Sequence, residues 1–266
     1  MKKIILIFSL ILLITACDII EAPYNEDNVV VVPEGTPKRA LLIEFTGIKC
    51  NNCPPASAEA KRIIDKYEGN VIGLNIHASE LARPSDPSQP NFRNATSNEI
   101  YAETNRPSLP GALISKFLNI NAISYATIDW ENKIVNVLKE EASIEISMKK
   151  TGADSSNIFE IEFFKEVSGQ IRIASYIAES HIIGYQLGPT ESYHDYEHNH
   201  VLRAAVFGNL GDDIDLSKKV DKKLQIPFIL PTLNDSWVKD NIKIVTFVYS
   251  VETGDVLQVN EFKLPS

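Results

Sequence analysis

The first half of the chain alternates short apolar runs with segments of helical periodicity. Ala40 to Phe45 and Val71 to His77 are compact apolar runs, which is typical of strands buried on both faces. Between them, Pro54 to Lys66 carries apolar residues three or four positions apart and begins with prolines, which predicts a helix. This order predicts two parallel strands with a right-handed crossover. Three further elements are predicted: helices from Ala95 to Thr104 and from Ile128 to Glu141, and a strand from Ala112 to Ile114.

The pattern changes after about residue 141, where β-branched and aromatic residues often alternate with polar ones. The segments include SIEISMK, FEIEFF, QIRIASYIAE, HIIGYQL, HVLRAAVF, IKIVTFVYSV and VLQVNEFKL. Turn residues such as Ser168-Gly169 and Thr253-Gly254 separate several of them, and no helical period lies between. We predict an α/β domain at residues 38–141 and an all-β domain, an Ig-like antiparallel β-sandwich, at residues 142–266.

The N-terminus has the order of a secretion signal. Lys2 and Lys3 precede an apolar run from Ile4 to Ile14, which is short for a membrane span. The sequence ITAC that ends at Cys17 resembles a bacterial lipobox, which implies cleavage before Cys17 and a lipid on its sulfur. The alternative is a hydrophobic segment with an incidental cysteine. Residues 18–37 are predicted to form a tether and a first short strand of four valines.

Composition limits the classes of protein that remain. Hydrophobic residues make up 44% and charged residues 23% of the chain, as in globular proteins. The net charge is −9 and no basic run occurs, which argues against nucleic acid as a partner. Of the three cysteines, Cys17 is assigned to the lipid, so Cys50 and Cys53 form the one remaining pair. A secreted chain places that pair in an oxidising compartment.

The Cys50 and Cys53 thiols are predicted at the junction between the first strand and its helix. There the helix dipole lowers the pKa of the first thiol, and Lys49 adds a positive charge beside it. Three interpretations stay open: a working dithiol couple, a static disulfide and a metal site. Two thiolates alone leave a tetrahedral zinc site short of ligands.

The segments LLIEFTGIKCNNCPPA and LPGALIS resemble the thioredoxin superfamily, over roughly residues 40–141. The resemblance implies that Glu44 is a buried acid which accepts a proton from Cys53, and that Pro110 is the cis-proline that shapes the substrate groove. The alternative for Glu44 is an acid partly exposed at a strand edge. Asn51-Asn52, Thr46 and Lys49 depart from the superfamily's usual residues. No cofactor is implied.

The histidines of the C-terminal half form a second candidate site. His194, His198 and His200 are capable of binding a metal, and alternate residues of a strand share a face. The alternative is a hydrogen-bonded corner that orders a loop. His77 ends the second apolar strand, either as a polar neighbour of the cysteines or as a hydrogen-bonded residue at a strand end.

Three C-terminal segments, YEHNHVLR, GNLG and IVTFVYSVETGDVLQVNEFKL, resemble the lipoproteins related to outer membrane protein 28 of Bacteroidetes-type bacteria. The resemblance implies lipid anchoring in the outer membrane, on the periplasmic or cell-surface face; the inner membrane is the alternative. Adhesin or receptor roles are suggested for that family. We predict a membrane-anchored thioredoxin-like lipoprotein that exchanges disulfides with protein substrates or redox partners through Cys50 and Cys53. The alternative is a non-catalytic, adhesin-type binding lipoprotein with a structural disulfide.

Overall fold

The protein, seen in a computed structural model, is described over residues 35–151 and 156–265. The predicted signal peptide, the lipidated Cys17 and the four-valine strand lie outside these residues. The helices are α1 (Cys53–Lys66), α2 (Ala95–Glu103) and α3 (Trp130–Leu138). The strands are β1 (Ala40–Thr46), β2 (Val71–His77), β3 (Gly111–Ile114), β4 (Ile144–Thr151), β5 (Ser156–Phe163), β6 (Ile171–Glu179), β7 (Ile182–Leu187), β8 (Ser192–His198), β9 (Val201–Ala205), β10 (Asp212–Asp213), β11 (Lys223–Phe228), β12 (Ile242–Ser250) and β13 (Val256–Lys263).

One mixed sheet contains strands from both halves of the chain. Its order is β13-β12-β6-β9-β2-β1-β3, with β10 paired to β6. As the strand–helix–strand pattern predicts, β1 and β2 are parallel, and β3 runs antiparallel to β1. Strand β9 joins β2 through a parallel pair between Asn75 and Val201. The strands β6, β12 and β13 extend the sheet in antiparallel fashion.

The two edges of this sheet meet beyond the end of β3. The Phe117 amide donates to the Gly254 carbonyl at 2.8 Å, and the Val256 amide donates to the Ser115 carbonyl at 3.0 Å. Gly254 has φ +70°, and a Cβ there would lie 2.4 Å from the Phe117 carbonyl oxygen, so this contact requires glycine. The sheet therefore encloses a core of aromatic rings, which includes Phe117, Tyr176 and Phe247.

The outer face of the sheet is covered by different elements in its two parts. Helices α1 and α3 bury Ile63, Trp130 and Ile134 against the face of β1 that carries Leu42. A three-stranded antiparallel sheet, ordered β11-β5-β4, covers the part formed by β6 and β12. Strands β7 and β8 form a separate hairpin.

The architecture is mostly β, with mixed and antiparallel sheets and three α-helices among the described residues, which is consistent with an α/β region followed by a β-rich region. The helix predicted for Ile128 to Glu141 is shorter than expected, because its first residues form a 3₁₀ turn. Three strands, β8, β10 and β11, do not appear among the predicted segments.

Candidate functional site

Cys50 and Cys53 are joined by a disulfide in the turn that links β1 to α1. The Cys50 amide donates to the Gly47 carbonyl at 2.9 Å, and the Cys53 amide donates to the Cys50 carbonyl at 3.1 Å. Cys53 is the first residue of α1, and Pro54 follows it in the first turn, where a missing N–H costs nothing. Gly47 is needed because a Cβ there would lie 2.8 Å from the Leu81 backbone.

Glu44 is fully buried in the middle of the sheet. It lies on β1, between Asn75 of β2 and Ala112 of β3, so the alternative of a partly exposed acid at a strand edge is wrong. Burial raises the pKa of Glu44 to about 7, and a hydrogen bond from Ser57 opposes part of that rise. The carboxyl can therefore exchange a proton near neutral pH.

Ser57 places this carboxyl under the first turn of α1. Its hydroxyl donates to Glu44 Oε1 at 2.7 Å, whereas Glu44 Oε2 is buried and has no hydrogen-bond partner among the described residues. Because Ser57 follows Cys53 by four residues, the two side chains lie on the same face of the helix. The residue that hydrogen-bonds the acid is thus one helical turn from the second cysteine of the pair.

A cavity of about 230 Å³ opens on the other side of Ser57. Tyr196 of β8 and Ser57 both line it, and burial raises the pKa of the Tyr196 phenol. The remaining walls come from α1, from strands β1, β2, β7 and β8, and from the turn after β8, and include Lys61, Asn75 and Glu197. Ser57 therefore lies between the cavity and the buried Glu44 carboxyl, which its hydroxyl hydrogen-bonds.

The β7–β8 hairpin covers the disulfide turn. The Leu187 amide donates to the Ile48 carbonyl at 2.8 Å, which ties β7 to the residue two positions before Cys50. The Gln186 side-chain nitrogen lies 3.3 Å from the Gly47 carbonyl and 3.2 Å from the Cys50 carbonyl. Ile182 and Tyr185 pack against the buried Ile48. As a result, Cys50 is only 3% exposed.

Pro110 stands where β3 begins, beside the end of β1. The Leu109–Pro110 bond is cis, and Gly111, the next residue, pairs with Phe45. Pro110 therefore lies at the same end of the sheet as the turn that holds the cysteines.

The histidines divide between a buried group and the hairpin surface. His77 packs edge-on against Phe92 and His198, with ring centroids 4.8 Å and 5.7 Å away. Burial, followed by the nearby His198 and Arg203, lowers the pKa of His77 well below its usual value. Burial also lowers the pKa of His198 to about 4, so both rings are neutral at pH 7. His194 is exposed on β8, and His200 lies in the turn after it.

The three candidate metal-binding histidines are not brought together as ligands. His198 contacts the Tyr185 carbonyl through Nε2 at 3.2 Å, and the His194 ring packs on Tyr185. Within residues 35–151 and 156–265, no group of three His, Cys, Asp or Glu side chains is arranged to hold a metal ion. Over the same residues, no helix is long and apolar enough to cross a membrane.

Three residues of this site were not predicted from the sequence: Ser57, Gln186 and Tyr196. Ser57 had a local signal, since it lies four residues after Cys53 on the predicted helix. Gln186 contacts the disulfide turn, and Tyr196 lies near Ser57, although more than 130 residues of sequence separate each pair. The periodicity of a local segment does not predict such contacts.

The site defines a class of protein: a mixed-sheet protein with a disulfide at a strand–helix junction, above a buried acid. The chain belongs to the outer membrane protein Omp28 family, whose model matches residues 97–266, more than half of its length. This match confirms the family predicted from the C-terminal segments. No curated protein matches the chain.

Solved structures give a likeness of fold. HBP35 of Porphyromonas gingivalis is similar over 86% of this chain and 76% of its own, with a TM-score of 0.65 and 16% identity. A crystal structure of an Agrobacterium tumefaciens protein covers 86% of this chain and 95% of its own (TM-score 0.48, 14% identity). A domain of the outer membrane lipoprotein Omp28 from P. gingivalis covers 46% of this chain and 88% of its own (TM-score 0.30, 22% identity).

Proposed function

We propose that this protein is a lipid-anchored thiol–disulfide oxidoreductase with a thioredoxin-like site, held in the outer membrane through Cys17. The observation that carries the proposal is the Cys50–Cys53 disulfide at the start of α1, one helical turn from Ser57, which hydrogen-bonds the buried Glu44. The cis bond before Pro110, at the same end of the sheet, supports it. The substrates are protein thiols or disulfides outside the cytoplasm.

The exchange starts from the disulfide that the protein contains. A substrate thiolate attacks the Cys50 sulfur, the Cys50–Cys53 bond breaks, and Cys53 leaves as a thiolate that takes the proton of Glu44. A second thiolate of the substrate then attacks the substrate sulfur of the mixed disulfide, and Cys50 leaves as a thiolate. The substrate is oxidised by two electrons and the cysteine pair is reduced. A second protein disulfide restores the pair, and the same steps reversed reduce a substrate.

The test is catalysis by the purified full-length protein in detergent. We expect it to accelerate insulin reduction by dithiothreitol, or the reshuffling of a scrambled protein, and we expect Cys50→Ser to abolish that activity. Cys53→Ser should instead accumulate a mixed disulfide, because the resolving thiol is missing. Wild-type rates no higher than those of Cys50→Ser would contradict the proposal.

A second function is favoured by one observation, the burial of Cys50 under the β7–β8 hairpin. Under this proposal the protein is a non-catalytic outer-membrane binding lipoprotein, and the disulfide is a structural cross-link. Replacing either cysteine by serine then lowers the free energy of unfolding but leaves ligand binding intact. Chemical unfolding of both serine variants, measured beside the exchange assay, separates the two proposals.

A further inference from the structure

Two arginines, Arg93 and Arg106, differ from the others because no carboxylate of the described residues pairs with them. The chain has seven arginines, all within the described residues. Five form ion pairs with carboxylates: Arg39, Arg62, Arg83, Arg172 and Arg203. Arg93 and Arg106 have no such pair in the part of the chain that the structure describes, although the protein is strongly acidic. Both line the same surface depression.

This depression is a basic pocket with further hydrogen-bonding groups. Ser79, Asn98 and Tyr101 also line it and offer further polar side-chain atoms. Its one carboxylate, on Glu80, lies 3.3 Å from Arg83 and is already paired. Arg93 Nε is buried and has no hydrogen-bond partner among the described residues. The site therefore has one buried donor without an acceptor and two positive charges that no carboxylate of the described residues pairs, and a bound anion would supply the acceptor.

The backbone holds one of these arginines in place. The Arg106 amide donates to the Tyr101 carbonyl at 2.8 Å, and the Asn105 amide donates to the Ala102 carbonyl at 2.9 Å, which closes the C-terminus of α2. Asn105 and Arg106 both have positive φ values, 57° and 52°. Arg106 is thus presented from a structured turn rather than from a free loop.

The basic pocket adjoins the disulfide turn on two sides. Ser79 and Glu80 follow β2, and the Lys49 amide, next to Cys50, donates to the Leu81 carbonyl at 2.8 Å. Arg106 begins the segment that leads to the cis bond before Pro110. Lys49 is also outside every ion pair of the described residues. The pocket is therefore linked to the disulfide turn through the backbone at Lys49 and Leu81.

We propose that the basic pocket binds a carboxylate side chain of the protein that exchanges disulfides with Cys50 and Cys53. The planar guanidinium groups of Arg93 and Arg106 match a carboxylate through paired hydrogen bonds. The inference rests on the proposed function for its partner, and names that partner's chemistry: an acidic residue close to the exchanging cysteine. Without the pocket, the net charge of −9 would repel such a segment.

Binding is measured first, on the oxidised full-length protein in detergent, where no exchange takes place. The probes are a blocked Ala-Glu-Glu-Ala peptide, its Gln-Gln analogue and inorganic phosphate, followed by calorimetry or NMR. We expect the Glu peptide to bind at least about tenfold more tightly than the Gln peptide, and Arg93→Gln or Arg106→Gln to remove about that advantage. Arg172→Gln, which removes the same charge from an exposed ion pair, is the matched control and should leave binding unchanged.

Equal binding of the two peptides, or equal effects of the pocket and control variants, would overturn the proposal. Phosphate binding without Glu-peptide binding would overturn it too, because the site would then select a different anion. If the Glu peptide binds as expected but the protein shows no exchange activity, the oxidoreductase proposal fails and the carboxylate site stands. If exchange occurs, Arg106→Gln should raise KM for an acidic substrate, whereas the control Arg172→Gln should leave that KM unchanged.

Discussion

Glu44→Gln is expected to stabilise the protein progressively relative to the wild type as the pH rises from about 4.5 to about 7. The pKa of Glu44 is about 7 in the folded protein, against 4.5 for a glutamate exposed to water, as in the unfolded chain. In that interval the folded state holds a proton that the unfolded chain has released, so stability falls as pH rises. The pKa difference corresponds to about 3 kcal/mol in the free energy of unfolding of the wild type. This contribution is fully present below pH 4.5 and fully lost above pH 7.

The measurement is urea unfolding of the oxidised wild type and variant between pH 4 and pH 9. The buried histidines have lowered pKa values and contribute a slope of opposite sign, but they are common to both proteins and cancel in the difference. Ser57→Ala should extend the upper end of the interval to higher pH, since the Ser57 hydrogen bond lowers the pKa of Glu44 in the folded protein. A difference between wild type and Glu44→Gln that does not change with pH would show that Glu44 titrates normally.

Gln186→Ala is expected to accelerate reduction of the Cys50–Cys53 disulfide by dithiothreitol roughly tenfold. A thiolate must reach the Cys50 sulfur, and the β7–β8 hairpin covers the turn that carries it. The Gln186 amide nitrogen bonds to backbone carbonyls on that turn, so its loss removes about 1–2 kcal/mol from the closed state. Each 1.4 kcal/mol changes an opening equilibrium by about tenfold.

The chain offers a matched control for this variant. Gln258 on β13 is also fully buried and hydrogen-bonded, to the Pro37 carbonyl and to Glu145, but it has no bond to the disulfide turn. Gln258→Ala should lower global stability without accelerating reduction. Equal acceleration by both variants would mean that the disulfide opens only through global unfolding, and no acceleration by Gln186→Ala would mean that the hairpin does not limit access.

The sequence predicts the region around the cysteines well because its signals are local. Strands β1 and β2 are uninterrupted apolar runs in a central position, and the prolines after Cys53 start a helix. The elements follow from composition, and their parallel pairing follows from the handedness of the crossover. The burial of Glu44 follows as well, once β1 is placed between two neighbours.

The missed features depend on contacts that are distant in sequence. Strand β8, SYHDYEH, has polar residues on both faces and pairs only with β7, so no alternation marks it. Strand β11 contains Pro227, which weakens a strand prediction and is accommodated because β11 is at the edge of its sheet. The cover over Cys50 and the basic pocket at Arg93 and Arg106 arise from tertiary packing, which the periodicity of a single segment does not encode.

The reduction potential of the Cys50–Cys53 pair tests the central proposal most directly. It is measured by equilibrating the full-length protein with glutathione or dithiothreitol buffers of set ratio and counting the free thiols. A working exchange pair predicts a value between about −270 and −120 mV, the range of disulfide-exchange proteins. A value below about −300 mV, typical of structural disulfides, would contradict the oxidoreductase and favour the binding lipoprotein.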